Sequence, residues 1–288
     1  MSKDRKDAKW VGNVDSMHGL FPYLMPNRAD NEAVLNEVVD LTAINEYIAK
    51  KNAENPAFKY TFFHVICAAL MKMFVLRPRM NRFYAGRRLY QRDDFSISFI
   101  VKKTFDDKSE EAIAILKVDP ESDVPAIEQI HSQVEKICTS VRKENKKDGT
   151  TDIIDDLVKL PRPILKGIMG TLSWLDYHGW YPQSLAKEDP YFSSIFVSNL
   201  GSIKLNASYH HLANWGTNSF FVVVGQKKPM PFYQMDGSCE VREALELGIT
   251  VDERIADGYY YSRSVALARK LFSHPELLDR PINEPVDY

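Results

Sequence analysis

The 288 residues lack most of the short patterns that announce a chemistry. No Gly-x-Gly-x-x-Gly turn is present to receive a dinucleotide, and no Walker loop to cradle a nucleotide phosphate. No Gly-x-Ser-x-Gly elbow presents a nucleophilic serine. Cys67, Cys138 and Cys239 are far apart, odd in number and without Cys-x-x-Cys spacing, which suits a reducing compartment rather than a disulfide framework. Neither sign of charge dominates: 37 Lys and Arg face 39 Asp and Glu, a net charge of −2. That balance offers no electrostatic footprint for nucleic acid or an anionic membrane surface. Met1 to Lys9 is charged and polar, unlike a secretory signal, so the expectation is a cytoplasmic protein. Internal repeats and low-complexity tracts are absent as well.

What is present is a chain of ordinary composition, 44% hydrophobic, long enough to bury a full core. Residues 1–30 read as an extended, proline-punctuated arm. Ala33 to Leu41 reads as a strand, and Thr42 as the N-cap of a short helix carrying Ile44, Tyr47 and Ile48. Phe62, Val65, Ile66, Ala69, Leu70 and Met73 recur at helical spacing after Thr61, and Arg77-Pro78 stops the run. His64 beside this stripe reads as a packing or hydrogen-bonding residue.

From Phe95 the period changes to two, predicting a strand with Ser96 and Ser98 on a wet face. Ala112 to Val118 is its expected antiparallel partner across the turn Asp106-Asp107-Lys108. A long helix follows Pro125, with a basic end at Arg142 to Lys147 that suits the negative end of a helix dipole. Pro163 to Tyr181 reads as one mostly apolar helix. It is shorter than the roughly twenty apolar residues of a membrane span and contains Lys166, Asp176 and His178, so a packing helix is expected. Tyr191 to Leu200 and Phe220 to Gly225 read as strands, the second central in a sheet. Asp236-Gly237 is a hairpin turn leading into the strand that ends at Val251, and a last helix buries Tyr261, Val265, Ala268, Leu271 and Phe272. The tail, residues 279–288, reads as loose.

Two stretches carry chemistry. Asp252-Glu253-Arg254-Ile255-Ala256-Asp257-Gly258 places a charged cluster where a strand breaks into a helix, an edge at which functional groups commonly sit. The bland alternative for it is a surface ion cluster worth little. Val197-Ser198-Asn199-Leu200-Gly201 ends a strand in a turn.

The first stretch resembles the Asp-His-Arg-x-x-Asp-Gly signature of the dihydrolipoamide acyltransferase cores of 2-oxo acid dehydrogenase complexes. Chloramphenicol acetyltransferases share its His-x-x-x-Asp-Gly part. Six of seven positions fit, and the exception, Glu253, stands where the family has its general-base histidine. The second stretch resembles the family's Ile-Ser-Asn-Leu-Gly, whose serine donates to the oxyanion of the tetrahedral intermediate. Val39-Asp40-Leu41-Thr42 and Arg77-Pro78-Arg79-Met80-Asn81 fall in the order seen in the first half of that core.

The resemblance implies an α/β two-layer sandwich of the chloramphenicol acetyltransferase-like kind. It would occupy residues 31–278, with an inserted helical region at 151–187 that the family core does not explain. It implies a homotrimer with active sites between subunits, and acyl-CoA as cosubstrate with no covalently bound cofactor. The implied activity is acyl transfer from acyl-CoA to a small acceptor. Ser198 would stabilise the oxyanion, Glu253 would act as base, and Asp257 would pair with an arginine, for which Arg28 is a candidate. An ordinary glutamate, with a pKa of about 4.3, is a poor base at neutral pH unless burial raises it. His210 and His211 offer an alternative base from another loop; metal binding there lacks a third ligand. The other expectation is a catalytically inactive trimer that binds a ligand or a protein. The lipoyl-bearing and subunit-binding segments that flank the family's cores are missing from these residues, so a stand-alone form is expected.

Overall fold

The computed structural model describes residues 3–102, 111–143 and 157–288. The expected turn at Asp106-Asp107-Lys108 and the basic run beyond Lys143 lie outside the described residues.

A mixed seven-stranded sheet organises the chain. Its strands are β2 (Glu32–Asp40), β5 (Phe95–Lys102), β6 (Glu111–Val118), β7 (Ile195–Asn199), β8 (Phe220–Val224), β9 (Lys228–Tyr233) and β10 (Cys239–Asp252). The order is β2-β10-β8-β7-β5-β6, with β9 pairing the first half of β10. The pairs β5–β7 and β7–β8 are parallel and the rest antiparallel. A small sheet, β1 (Ala8–Trp10), β4 (Arg88–Arg92) and β3 (Arg82–Ala85), lies beside it.

The helices α2 (Thr42–Ala53), α3 (Phe62–Leu76), α4 (Ala126–Lys143) and the last helix, Gly258–Ser273, pack their apolar stripes on one face of the large sheet. Val65, Ile66 and Leu70 of α3, Ile127 and Ile130 of α4 and Leu267 and Leu271 of the last helix meet Ile97, Val197, Val222 and Leu247 there. Burying each such side chain is worth about 1.5–3 kcal/mol, which makes this layer the core. The β8 strand is apolar throughout because it lies between β7 and β10 under the helices, as its composition predicts.

Several expectations change on physical grounds. The N-terminal arm is not extended: it contains β1 and a nine-residue helix, α1 (Ser16–Leu24), despite Pro22 inside it. The N-cap of α2 is Leu41 rather than Thr42, which is already helical and donates its backbone N–H and hydroxyl to Asp40. Ser96 and Ser98 are buried, not wet, because residues 190–194 cover that face. Ser98 Oγ donates to the Pro190 carbonyl, and Ser96 Oγ accepts from the Ser194 N–H. The strand expected over Tyr191 to Leu200 is confined to β7, with single 3-10 turns on either side.

The tail is docked, not loose. Ile282 is fully buried, Lys72 donates to the Pro281 carbonyl, and Arg263 donates to the Tyr288 carbonyl. The helix expected around Pro163 is observed as α5 (Arg162–Tyr177), followed by the short α6 (Gln183–Ala186) and, at the C-terminus, α7 (Gly258–Ser273). No residue of α5 is buried; Leu165, Ile168, Met169 and Leu172 form a half-buried stripe, and Ile164 and Trp174 face outward. It packs less than its composition suggests. No helix among the described residues is long and apolar enough to cross a membrane.

Candidate active site

At the end of β10 the charged corner divides sharply by burial. Asp252 and Arg254 are 0% and 1% exposed. Arg254 Nε and Nη2 donate to the two carboxylate oxygens of Asp252 at 2.8 and 2.7 Å, a bidentate pair, and Arg254 Nη1 donates to the Met25 carbonyl. The Tyr261 hydroxyl donates to the Asp252 carbonyl, which ties α7 to the strand end. Arg28 approaches the same carboxylate at 3.9 Å, and burial pulls its guanidinium down to about 10. This is no surface ion cluster.

Glu253 and Asp257, by contrast, are exposed. Asp257 caps α7, accepting from the Tyr260 N–H, and the arginine that faces it is Arg79 at 3.8 Å. Arg28, the candidate partner from sequence, faces Asp252 instead. Glu253 and Asp257 line an open cavity of about 650 Å³ together with residues of α1, β2 and α7.

Sequence reasoning missed one side chain in that cavity. His18 of α1 also lines it. Asp15 caps α1, its Oδ1 accepting from the Met17 and His18 N–H groups, while its Oδ2 accepts from His18 Nδ1 at 2.6 Å. The backbone N–H of His18, foremost among these donors, holds the Asp15 carboxyl below its usual range. Pro22 has no N–H to give the His18 carbonyl four residues back, and the Tyr84 hydroxyl donates to it instead at 2.7 Å. The helix therefore tolerates its proline and is pinned to β3 at His18. The available signal was Asp15 three residues ahead of a histidine and of the apolar run Leu20, Phe21, Leu24, a capping pattern that the prolines obscured.

Ser198 lies elsewhere. It sits half-buried at the end of β7, in a second cavity of about 600 Å³ with Phe99, Leu200, His64 and His210. Register fixes how far it is from Glu253. Ser198 pairs with Val223 of β8, and Val223 pairs with Gly248 of β10, which runs the opposite way. Two strand spacings across and the stretch from Gly248 to residue 253 along amount to roughly 20 Å. Within one chain the hydroxyl and the carboxylate occupy opposite ends of the sheet.

The strap from Ala207 to Ala213 crosses the sheet face away from the helices. Gly225 and Gly248 let it lie flat, since a Cβ at Gly248 would come within 2.1 Å of the Ser208 carbonyl oxygen. The strap separates the two histidines expected as alternative bases. His210 stacks on Phe221 at 4.8 Å and faces the Ser198 cavity. His211, with its side chain 89% exposed, donates from Nδ1 to Glu32 at the other end. No group of three or more metal-ligating side chains occurs among the described residues.

His64, which also lines the Ser198 cavity, forms a capping box with Thr61 at the start of α3. Its Nδ1 accepts from the Thr61 N–H, and burial lowers its imidazole to about 4, so the ring is neutral.

Solved structures share this fold over nearly their whole length. The cubic core of the pyruvate dehydrogenase multienzyme complex superposes with a TM-score of 0.60 at 14% identity, covering 94% of each chain. A dihydrolipoamide acetyltransferase of Azotobacter vinelandii, studied for the roles of a serine, a histidine and an asparagine in its mechanism, gives 0.59 at 15% identity over 94% of each chain. A chloramphenicol acetyltransferase gives 0.56 at 9% identity, over 92% of this chain and 99% of its own.

The chain has the chloramphenicol acetyltransferase-like fold.

No family model matches it, and neither does any curated relative. At these identities the likeness establishes architecture. Within that fold, Ser198 lies at the end of β7 and the Asp252–Gly258 corner at the end of β10.

Proposed function

We propose that the protein is a CoA-dependent acyltransferase that works as a homotrimer, with each site assembled between two copies. The observation that carries this reading is the position of Ser198 and Glu253 at opposite ends of one sheet, each in its own open cavity. Roughly 20 Å apart, they cannot serve one thioester within a chain. A rotational ring of copies brings the front of one subunit against the back of the next, and so supplies both halves to each site. Apolar side chains on α1, Met17, Leu20 and Leu24, are exposed in the single chain, as are Val34 and Val38 of β2. Such side chains suit burial between copies.

In this reading the thioester carbonyl lies beside Ser198, whose hydroxyl donates to the oxygen as negative charge develops there. The acceptor, a small thiol, alcohol or amine, enters from the side of the neighbour's Glu253 cavity, where its proton is taken. Asp257 keeps the corner in shape through its cap on α7.

The test is release of CoA from a panel of acyl-CoA thioesters with thiol, alcohol and amine acceptors, followed chromatographically. Wild-type protein should turn over at least one pair, and Ser198→Ala should abolish most of that turnover. Binding of acyl-CoA without any turnover would favour the inactive, ligand-binding trimer. That second reading draws on one observation: the family's histidine is replaced by a glutamate that stands exposed.

A further inference from the structure

The cavity that contains Glu253 also contains a histidine from outside the signature stretch, oriented as catalytic bases are oriented. We propose that His18, held by Asp15, is the general base of the acyl-transfer reaction. This rests on the acyltransferase reading and names the group that the reading leaves open.

Four observations converge on His18. Its Nδ1–H donates to the Asp15 carboxylate at 2.6 Å, which fixes the neutral tautomer that leaves the Nε2 lone pair free. Nε2 itself has no hydrogen-bond partner among the described residues. The ring lines the same cavity as Glu253 and Asp257, with its side chain 21% exposed and Phe21 edge-on at 5.8 Å. Its backbone is fixed by the Tyr84 hydroxyl, at the carbonyl that Pro22 leaves free. Histidine is also the side chain most often used as a general base.

Every element packed around the ring contributes a charge or a titratable group. Asp15 comes from its own cap, Glu253 and Asp257 from the corner, the Glu37–Arg269 ion pair from β2 and α7, and Tyr261 from α7. Glu253 is then a neighbour of the base, placed to favour the imidazolium as it forms.

His18 Nε2 takes the proton from the acceptor's O–H, N–H or S–H as that heteroatom bonds to the thioester carbonyl carbon. Ser198 of the adjoining copy donates to the carbonyl oxygen. The tetrahedral intermediate collapses with cleavage of the C–S bond, and the imidazolium returns the proton to the CoA sulfur. Acyl-CoA and acceptor become acylated acceptor and CoA, with the histidine unchanged.

The experiment measures CoA release by the full-length protein from whichever acyl-CoA and acceptor support turnover, as a function of pH, for wild type, His18→Gln, Asp15→Asn and Glu253→Gln. His18→Gln should lower kcat by about 10²–10⁴-fold, with its melting temperature close to wild type. Asp15→Asn removes the charge that favours the imidazolium, so the acidic limb of its pH profile should move to lower pH and its maximum should fall. A role for His18 in stability alone would leave that limb in place. CoA release that survives His18→Gln, or a limb unmoved by Asp15→Asn, overturns the assignment while the acyltransferase reading stands. No release by wild type from any thioester overturns both.

Discussion

Asp252 and Glu253 are neighbours in sequence and opposites in environment. The first is sealed under Tyr261 and bound by two arginines; the second faces an open cavity. The same contrast divides Arg254 from Asp257. The comparison separates two reasons for a match to a signature. Asp252, Arg254, Ile255 and Ala256 fit because the corner cannot close without them, and all four are buried. The open positions are free to change if the chemistry changes with them. A departure at the exposed Glu253 therefore leaves the fold untouched.

The contrast can be broken at its buried side first. Asp252→Ala leaves Arg254 and Arg28 charged and unpaired in the interior, so unfolding in urea should show a loss of about 3–5 kcal/mol. A loss below about 1 kcal/mol would mean that the pair is not what closes the corner. Next, Ser198→Ala should lower kcat by about 10²–10³-fold, as removal of one oxyanion donor does. A half-buried hydroxyl at the edge of a cavity carries little packing, so the stability of this variant should stay within about 0.5 kcal/mol of wild type.

His64 is a titratable group that is buried and structural. Its folded-state value of about 4 lies below the ordinary 6.5, so the unfolded chain binds more protons between these values. Stability from this group is complete above about pH 6.5 and falls as the pH drops toward 4, by on the order of 3 kcal/mol at most. His64→Gln retains a capping side chain at the same helical position and should flatten that slope in denaturation measured from pH 4 to 7. The smallest effect belongs to Glu253→Gln: about a tenfold loss in kcat, roughly 1.4 kcal/mol, with unfolding unchanged. A stability change there as large as that of Asp252→Ala would erase the contrast.

How far the sequence could be read follows the same division. Periodicity located α3, α4, α7, β8 and β10, because each buries one continuous face and the pattern records burial. Ser96 and Ser98 misled because hydroxyls satisfied by Pro190 and Ser194 sit in the interior as comfortably as in water. The tail misled because one apolar residue, Ile282, anchors it among polar ones. The resemblance marked Ser198 and Glu253 by letters alone and set them on different subunits, without saying where each lies in one chain. Only the pairing of β7, β8 and β10 places them at opposite ends, since strand order is a long-range property that no local pattern encodes. His18 was invisible for a different reason: Pro22 and Pro26 made its helix look like an extended arm.

In the proposed trimer one copy supplies Ser198 and the next supplies the cavity of Glu253 and His18. Mixing is the most direct measurement. Ser198→Ala protein and a His18→Gln, Glu253→Gln double variant, each inactive alone, are denatured, combined in equal amounts and refolded, and CoA release is followed. In a ring of three, every mixed assembly contains one site with both halves native. Random assembly should then restore about a quarter of wild-type turnover. Mixed trimers that form and release no more CoA than either parent would contradict the claim.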